Sequence, residues 1–172
     1  MKVAIVKYNA GNIQSVMYAL QRLGIEPVLT DDHETLKSAD KVIFPGVGEA
    51  SSAMNYLRKV GLDQLLPTLK QDFLGVCIGL QLMCAYSEEG NTDCLNIFSV
   101  DVKKFPSTSS AGDHFKVPHM GWNNLESLQT PLFENIDPAH AYVYYVHSFY
   151  AALSDCTIAT TPYSVPFFSR IA

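Results

Sequence analysis

The chain has 172 residues, of which 48% are hydrophobic and 17% charged, with a formal net charge of −5. This composition is typical of a folded globular chain with a substantial core, and it excludes a disordered one. The acidic balance argues against a nucleic-acid surface, no run reaches the roughly 20 apolar residues of a membrane span, and the apolar start is too short for a signal peptide.

The first half of the chain alternates short apolar runs with helical patterns. Apolar residues from Ile13 to Leu23 follow helical spacing, Gly24 ends that helix, and Asp31 or Asp32 is suited to cap the next one. Strands are predicted at residues 3–8, 27–29, 41–44 and 73–76, and helical stretches between 57 and 69 break near Gly61. This order predicts an α/β fold with a mostly parallel open sheet and helices on both faces.

The second half is predicted to be rich in β-structure. Strands are expected at residues 96–105, 122–126, 140–150 and 157–160, with a loop or hairpin tip at 103–113. No repeat or linker indicates a second domain, so we expect one domain over residues 1–172.

The segment from Leu74 to Gln81 carries the strongest chemical signal. It predicts a buried strand, a sharp turn with Cys77 between Gly75 and Gly79, and the start of a helix. This is the nucleophile-elbow pattern with sulfur in place of a hydroxyl. Amide groups at the helix start should favour a thiolate. The alternative is a buried cysteine between glycines that only allow close packing.

A second glycine-containing turn follows the third strand. Gly46, Val47 and Gly48 come at the carboxyl end of that strand, at the sheet edge where the elbow also lies. Their amides, together with that of Ile78, are candidates to stabilise an oxyanion. A plain strand-to-helix turn is the alternative.

Together the elbow and this turn resemble the class I, triad-type glutamine amidotransferases, over nearly the whole chain. The resemblance implies a flavodoxin-like core and a cysteine that attacks the side-chain amide of glutamine to give a glutamyl thioester and ammonia. It also implies that Gln81 helps to hold the substrate. Without the resemblance, Gln81 is an exposed polar residue of a helix.

The segment 116–123 points to one branch of this family. It is similar to the signature of the glutaminase subunit of imidazole glycerol phosphate synthase, a histidine-biosynthesis enzyme, as are residues 8–13 and 145–149. This resemblance implies that His147, Ser148 and Phe149 line the glutamine pocket. The residues alone also allow a hydrogen-bonded core histidine at 147 and a turn residue at His119.

The same resemblance implies a partner. The family subunit docks on a (β/α)8-barrel cyclase and passes ammonia to it, and its glutaminase is nearly silent until the cyclase binds its nucleotide ligand. A backbone flip in the 46–48 turn would couple the two sites. Residues expected near the seam are Asn9, Asn12, Val47, Pro118, His119, Met120, Gly121 and Trp122, of which Trp122 is a core or interface anchor.

The 172 residues depart from the family pattern at one point. The family takes its base from a His-x-Glu pair in a Phe-His-Pro-Glu motif, and neither this pair nor the closing helix occurs here. We therefore expect a truncated chain with little or no glutaminase activity. His147 and His119 are poor stand-ins, and the missing elements should lower stability or promote self-association.

Other readings stay open on the sequence alone. The chain could be a non-catalytic regulatory subunit, or another triad glutaminase or γ-glutamyl hydrolase, although segment 118–123 argues against the latter. The four cysteines, Cys77, Cys84, Cys94 and Cys156, show no metal-binding spacing, and we expect reduced thiols, a cytoplasmic location and no cofactor or metal. Cys84 is expected to be a small core residue.

Overall fold

The computed structural model describes residues 1–8, 12–108, 112–129 and 133–171, except the side chains of 168–171. The chain divides into two compact units, Met1–Ser99 and Val100–Ala172. One amidotransferase domain over 1–172 therefore stays a prediction.

The first unit is built on a parallel sheet of four strands in the order β2-β1-β3-β4. The strands are β1 (Val3–Val6), β2 (Val28–Thr30), β3 (Lys41–Phe44) and β4 (Asp72–Gly75). Residue Phe44 pairs with Gly75, so the segments that follow β3 and β4 leave the sheet side by side. The parallel sheet predicted from the sequence is confirmed.

Five helices connect and cover these strands. They are α1 (Ile13–Arg22), α2 (His33–Lys37), α3 (Ala50–Val60), α4 (Leu62–Leu65) and α5 (Ile78–Met83), with a 3-10 turn at Leu66–Thr68. Asp32 caps α2 by accepting a hydrogen bond from the Thr35 amide, and Gly61 separates α3 from α4 with a φ of 72°. None of the helices in the described ranges is long and apolar enough to cross a membrane.

The two faces of the sheet pack against different helices because side chains alternate along a strand. Val3 and Ile5 pack with Leu20 of α1. The opposite face contributes Ala4, Val6, Val42 and Phe44 to a larger core with α2, α3, α4 and α5. Helices on both faces are thus confirmed.

The segment after α5 differs from the prediction. A short antiparallel hairpin forms from β5 (Tyr86–Ser87) and β6 (Thr92–Asp93). The prediction of a strand at 96–105 is wrong for its first half. There the backbone amides of Leu95, Asn96 and Ile97 donate to carbonyls at the end of α5 and to that of Cys84, the residue after the helix. The helix end takes these donors to satisfy its own backbone groups.

The second unit consists of antiparallel pairs. Its strands are β7 (Asp101–Lys104), β8 (His119–Asn124), β9 (Tyr142–His147), β10 (Phe149–Ala151), β11 (Thr157–Thr161) and β12 (Phe167–Ile171). β8 pairs with β9, β10 with β7, and β11 with β12. The predicted strand at 140–150 is divided at Ser148, because the chain changes its partner there from β8 to β7.

Candidate active site

The turn at Cys77 has the geometry of a nucleophile elbow. Cys77 takes φ 55° and ψ −117°, a conformation that L-residues rarely adopt, and α5 starts at the next residue. A Cβ atom on Gly79 would overlap the Phe44 carbonyl oxygen, and one on Gly75 would lie 2.7 Å from the Leu80 Cα. The two glycines are therefore required by the close packing of α5 on the sheet.

Cys77 is an exposed residue and its thiol is free, so the cysteine is not buried between the glycines. Desolvation by the surrounding protein raises the pKa of the Cys77 thiol, the Ile78 amide that donates to the sulfur lowers it, and the charge of Glu89 raises it. The prediction that Cys77 is a thiolate is therefore wrong, because one amide does not offset desolvation and a nearby carboxylate, and the thiol keeps its proton.

The 45–48 turn lies directly beside the elbow. Pro45 and Gly46 are buried, whereas Val47 and Gly48 are exposed. A Cβ atom on Gly46 would lie 2.7 Å from Ile78 Cγ2, and the Val76 amide donates to the Phe44 carbonyl at 3.0 Å. The structure thus brings the two sets of predicted oxyanion amides, those of the turn and that of Ile78, to the same end of β3 and β4.

Glu89 is a site residue that the sequence analysis missed. Its carboxylate accepts a hydrogen bond from the Ala50 amide at the start of α3, at 2.9 Å, and its charge acts on the Cys77 thiol. Burial raises the pKa of Glu89 itself, the Ala50 bond lowers it, and Glu49 raises it. No sequence pattern marked it, because it lies in the loop of a hairpin that was not predicted.

Gln81 lies on the first turn of α5, as expected. Gln81 is partly buried. Its backbone amide donates to the Cys77 carbonyl at 3.1 Å, and this bond joins the helix to the elbow. Cys84 is fully buried just after the helix, which confirms its expected place in the core. All four cysteines are free in the structure, and the expected reduced state of the thiols stays a prediction.

The other predicted pocket residues belong to the second unit, where His147 forms part of an aromatic cluster. Its Nε2 lies 3.2 Å from Nδ1 of His119, and its Nδ1 lies 2.9 Å from the Phe149 carbonyl oxygen. The ring of His119 stacks on Tyr163 with centroids 3.9 Å apart. Burial lowers the pKa of His147 to about 4 and that of His119 in the same direction.

The expected partner-facing residues of β8 alternate between two environments. Met120 and Trp122 are 56% and 72% exposed, whereas His119 is 4% exposed because it faces the aromatic cluster. Pro118 and Gly121 are intermediate. The neighbouring strand adds exposed Tyr142, Tyr144 and Val146 opposite them. Asn12 is exposed, and Asn9 lies outside the described residues.

Comparison with known proteins matches this arrangement to one family. The family model described as "Glutamine amidotransferase class-I" matches residues 4–163. A solved structure titled "Crystal structure of glutamine amidotransferase" has the same fold, with a TM-score of 0.57 and 17% identity over 98% of this chain and 75% of that one.

Curated relatives are more similar in sequence. "Imidazole glycerol phosphate synthase subunit HisH" of Bacteroides thetaiotaomicron is 57% identical over 97% of this chain and 83% of its own length. The protein of the same name from Idiomarina loihiensis is 41% identical over 99% and 84%. The one from Buchnera aphidicola is 35% identical over 99% and 96%.

Proposed function

Because the chain belongs to the class I glutamine amidotransferases and to the HisH subunits of imidazole glycerol phosphate synthase, we propose that it releases ammonia from glutamine at Cys77 for a cyclase partner. The observation that carries this proposal is the exposed cysteine at a strained elbow, beside a glycine turn in which Val47 and Gly48 are exposed. The chain is a glutaminase subunit of histidine biosynthesis, and the steps below are the finer part of the proposal.

Cys77 acts as the nucleophile. Its sulfur gives its proton to a base and bonds to the side-chain amide carbon of glutamine, and the carbonyl oxygen becomes an oxyanion. Collapse then breaks the C–N bond as that proton passes to the leaving nitrogen, which departs as ammonia. Water then hydrolyses the glutamyl thioester to glutamate. The Ile78 amide and those of Val47 and Gly48 are the donors proposed to hold the oxyanion, since both segments leave the sheet at the same edge.

Glu89 suits the amino-acid end of the substrate. Its carboxylate lies near enough to Cys77 to raise the pKa of the thiol, and an α-ammonium group placed between them would neutralise that charge. Gln81 is proposed to help to hold the substrate, and the expectation that His147, Ser148 and Phe149 line the glutamine pocket stays a prediction. The His147 imidazole bonds to the Phe149 carbonyl oxygen, and this contact supports a role for the backbone of residues 147–149.

Neither His147 nor His119 is a good acceptor for the thiol proton. His147 and His119 are bonded to each other, and the lowered pKa of each makes it a weak base near neutral pH. The raised pKa of Cys77 makes a base more necessary. A polypeptide that lacks the His-x-Glu pair is therefore proposed to bind its partner with little glutaminase activity.

A glutaminase assay tests this proposal. The 172-residue polypeptide and a version extended by the family's Phe-His-Pro-Glu strand and closing helix are compared, each with the cyclase and its nucleotide ligand. We expect turnover only from the extended version, and none when it also carries Cys77→Ala. Equal turnover by the short polypeptide would contradict the missing base, and turnover that survives Cys77→Ala would contradict the nucleophile.

The partner is proposed to be a (β/α)8-barrel cyclase that receives the ammonia internally, in the cytoplasm, as a heterodimer. The support for docking is the exposed face of β8 and β9, where Met120, Trp122 and Tyr144 present apolar and aromatic surface of the kind enriched at interfaces. The exposed Val47–Gly48 backbone, with a φ of 131° at Gly48, can rotate to couple ligand binding to glutaminase activity.

A further inference from the structure

Tyr8 connects the end of β1 to the turn beside the nucleophile. It lies two residues after β1, is 4% exposed, and its hydroxyl donates to the Pro45 carbonyl at 2.7 Å. Its ring packs on that of Phe44 with centroids 5.0 Å apart. Because β1 and β3 are neighbours in the sheet, this bond joins the carboxyl ends of two strands.

Gly46 is enclosed between Tyr8 and the elbow. A Cβ atom at Gly46 would overlap the Tyr8 hydroxyl oxygen and would lie 2.8 Å from Tyr8 Cζ and 2.7 Å from Ile78 Cγ2. The first half of the turn is therefore held from both sides. Its second half is open, since Val47 is 48% exposed and a Cβ atom on Gly48 would meet nothing within 4 Å.

We propose that Tyr8 is a positioning residue for the reaction at Cys77: its hydroxyl fixes the Pro45–Gly46 peptide against Ile78 and so sets where the following amides meet the oxyanion. The inference rests on the proposed glutaminase function. Tyr8 does not touch the substrate. It acts through the turn, and the movement of the turn is confined to the open half.

The hydroxyl is suited to this task at all working pH values. Burial raises the pKa of Tyr8, and the charge of Cys77 raises it further, so the phenol keeps its proton and remains a donor. A buried carbonyl that loses its donor is costly, so the Pro45 peptide would turn to find another partner or water. A displacement of less than 1 Å at an oxyanion donor is enough to slow a reaction.

The test uses two electrophiles on the 172-residue chain in the presence of the cyclase and its nucleotide ligand, followed by peptide mapping at Cys77. A chloromethyl ketone of glutamine shape places its carbonyl in the proposed oxyanion site, whereas iodoacetamide alkylates sulfur without that demand. In both reactions the S–C bond forms, the halide leaves with its electron pair and the thiol proton goes to solvent. We expect Tyr8→Phe to lower the ketone rate about tenfold and the iodoacetamide rate less than about twofold.

Tyr18→Phe is the matched control, because Tyr18 is 55% exposed on α1. Thermal unfolding shows whether Tyr8→Phe stays folded. Equal loss with both electrophiles would show a merely structural role and overturn the inference, as would no loss with either. A wild-type chain that does not prefer the ketone would instead overturn the proposed function.

A second measurement does not depend on the stability of Tyr8→Phe alone. Gly46→Ala is made both in the wild-type chain and in the Tyr8→Phe variant, because the added Cβ overlaps a hydroxyl oxygen that the variant lacks. We expect its effect on the ketone rate to be at least about threefold smaller in the Tyr8→Phe variant, a coupling typical of residues in contact. Independent effects would mean that the hydroxyl does not position the turn.

Discussion

At the scale of single residues, Cys77 shows how opposed electrostatic effects set reactivity. The Ile78 amide stabilises the thiolate, while desolvation and the charge of Glu89 destabilise it. The balance leaves the sulfur protonated at neutral pH. A positive group in the site, such as a substrate ammonium or a protonated base, would reverse the balance and activate the nucleophile.

The contribution of Glu89 can be measured directly. Glu89→Gln removes the charge but keeps an oxygen that can accept from the Ala50 amide. Because Glu89 raises the pKa of Cys77, its loss should lower that pKa and increase the thiolate fraction at pH 8. We expect iodoacetamide to alkylate Cys77 severalfold faster than in the wild type, as followed by mass spectrometry.

Glu88→Gln is the control for net charge, because Glu88 is exposed and directly precedes Glu89 in the sequence. It should leave the rate close to that of the wild type. A rate that is unchanged in Glu89→Gln, or raised equally in both variants, would mean that the carboxylate of Glu89 has no specific effect on the sulfur.

Residues differ in how far the sequence reveals them. Cys77, Gly75 and Gly79 could be predicted because the elbow imposes a local pattern, in which small residues flank a strained position. Glu89 and Tyr8 could not, because their roles arise from contacts with the start of α3 and with Pro45, distant in sequence. The pKa of Cys77 was also misjudged, since desolvation is a tertiary property.

At the scale of elements, the approach of α5 to β3 holds the elbow in place. Gly79 lies against the Phe44 carbonyl, so the helix can pack there only without a side chain. Gly79→Ala should push α5 from the sheet and destabilise the chain by about 2 kcal/mol or more, within the range for overpacking. Urea unfolding followed by circular dichroism measures the change.

The control for this substitution is Gly24→Ala. Gly24 has open space around it but a φ of 73°, so Gly24→Ala adds backbone strain without a clash. It should lower the free energy of unfolding by about 1 kcal/mol. Gly79→Ala must be clearly more destabilising than Gly24→Ala. If the two variants unfold at the same urea concentration, the close packing of α5 is not what requires Gly79.

The buried contact between His119 of β8 and His147 of β9 makes the stability of the chain depend on pH. The folded pKa of His147 is about 4, below the ordinary value of 6.5, so the unfolded chain binds more protons between these values. Stability should therefore fall as the pH drops from about 6.5 to 4, by on the order of 3 kcal/mol. The lowered pKa of His119 adds in the same direction.

Urea titrations at several pH values test this expectation. His147→Gln should be less stable near pH 7 but should lose much of the slope between pH 6.5 and 4. His114→Gln, on an exposed histidine, is the control and should keep the wild-type slope. An unchanged slope in His147→Gln would assign the acid sensitivity to other groups.

Element boundaries show where local patterns fail. The sequence predicted strands at 140–150 and 96–105 because both are rich in apolar and β-branched residues. The structure divides the first at Ser148, where the pairing partner changes, and uses the start of the second to complete the end of α5. Pairing partners are tertiary choices, so periodicity cannot reveal them.

At the scale of the whole molecule, two exposed apolar surfaces of the described residues bear on association. One is β4, at the sheet edge among the described residues, where Leu74 and Val76 beside it are 41% and 42% exposed. Self-association through this edge stays a prediction, and light scattering measures it. The other is the β8–β9 face, which we assign to the partner.

Trp122 makes docking on that face measurable. It is the only tryptophan of the chain, is 72% exposed, and packs edge-on against Tyr144. Labelled with 5-fluorotryptophan, the chain should give one ¹⁹F signal that shifts when the cyclase is added. Tyr144→Ala should weaken binding at least tenfold, as expected for an aromatic interface anchor.

Tyr18→Ala, which truncates an exposed tyrosine of α1, is the control and should bind with wild-type affinity. A signal that does not shift at saturating cyclase would contradict docking on the β8–β9 face, even if binding is detected by another method. Equal losses for the two variants would mean that the face has no special role.

The left-handed backbone at residue 77 implies a trade between durability and chemistry. Glycine adopts φ 55° and ψ −117° without penalty, whereas alanine retains the steric conflict that the cysteine has. Cys77→Gly should therefore be more stable than Cys77→Ala, by roughly 1 kcal/mol in the free energy of unfolding. On the proposed function, this loss of stability accompanies the presentation of a reactive sulfur.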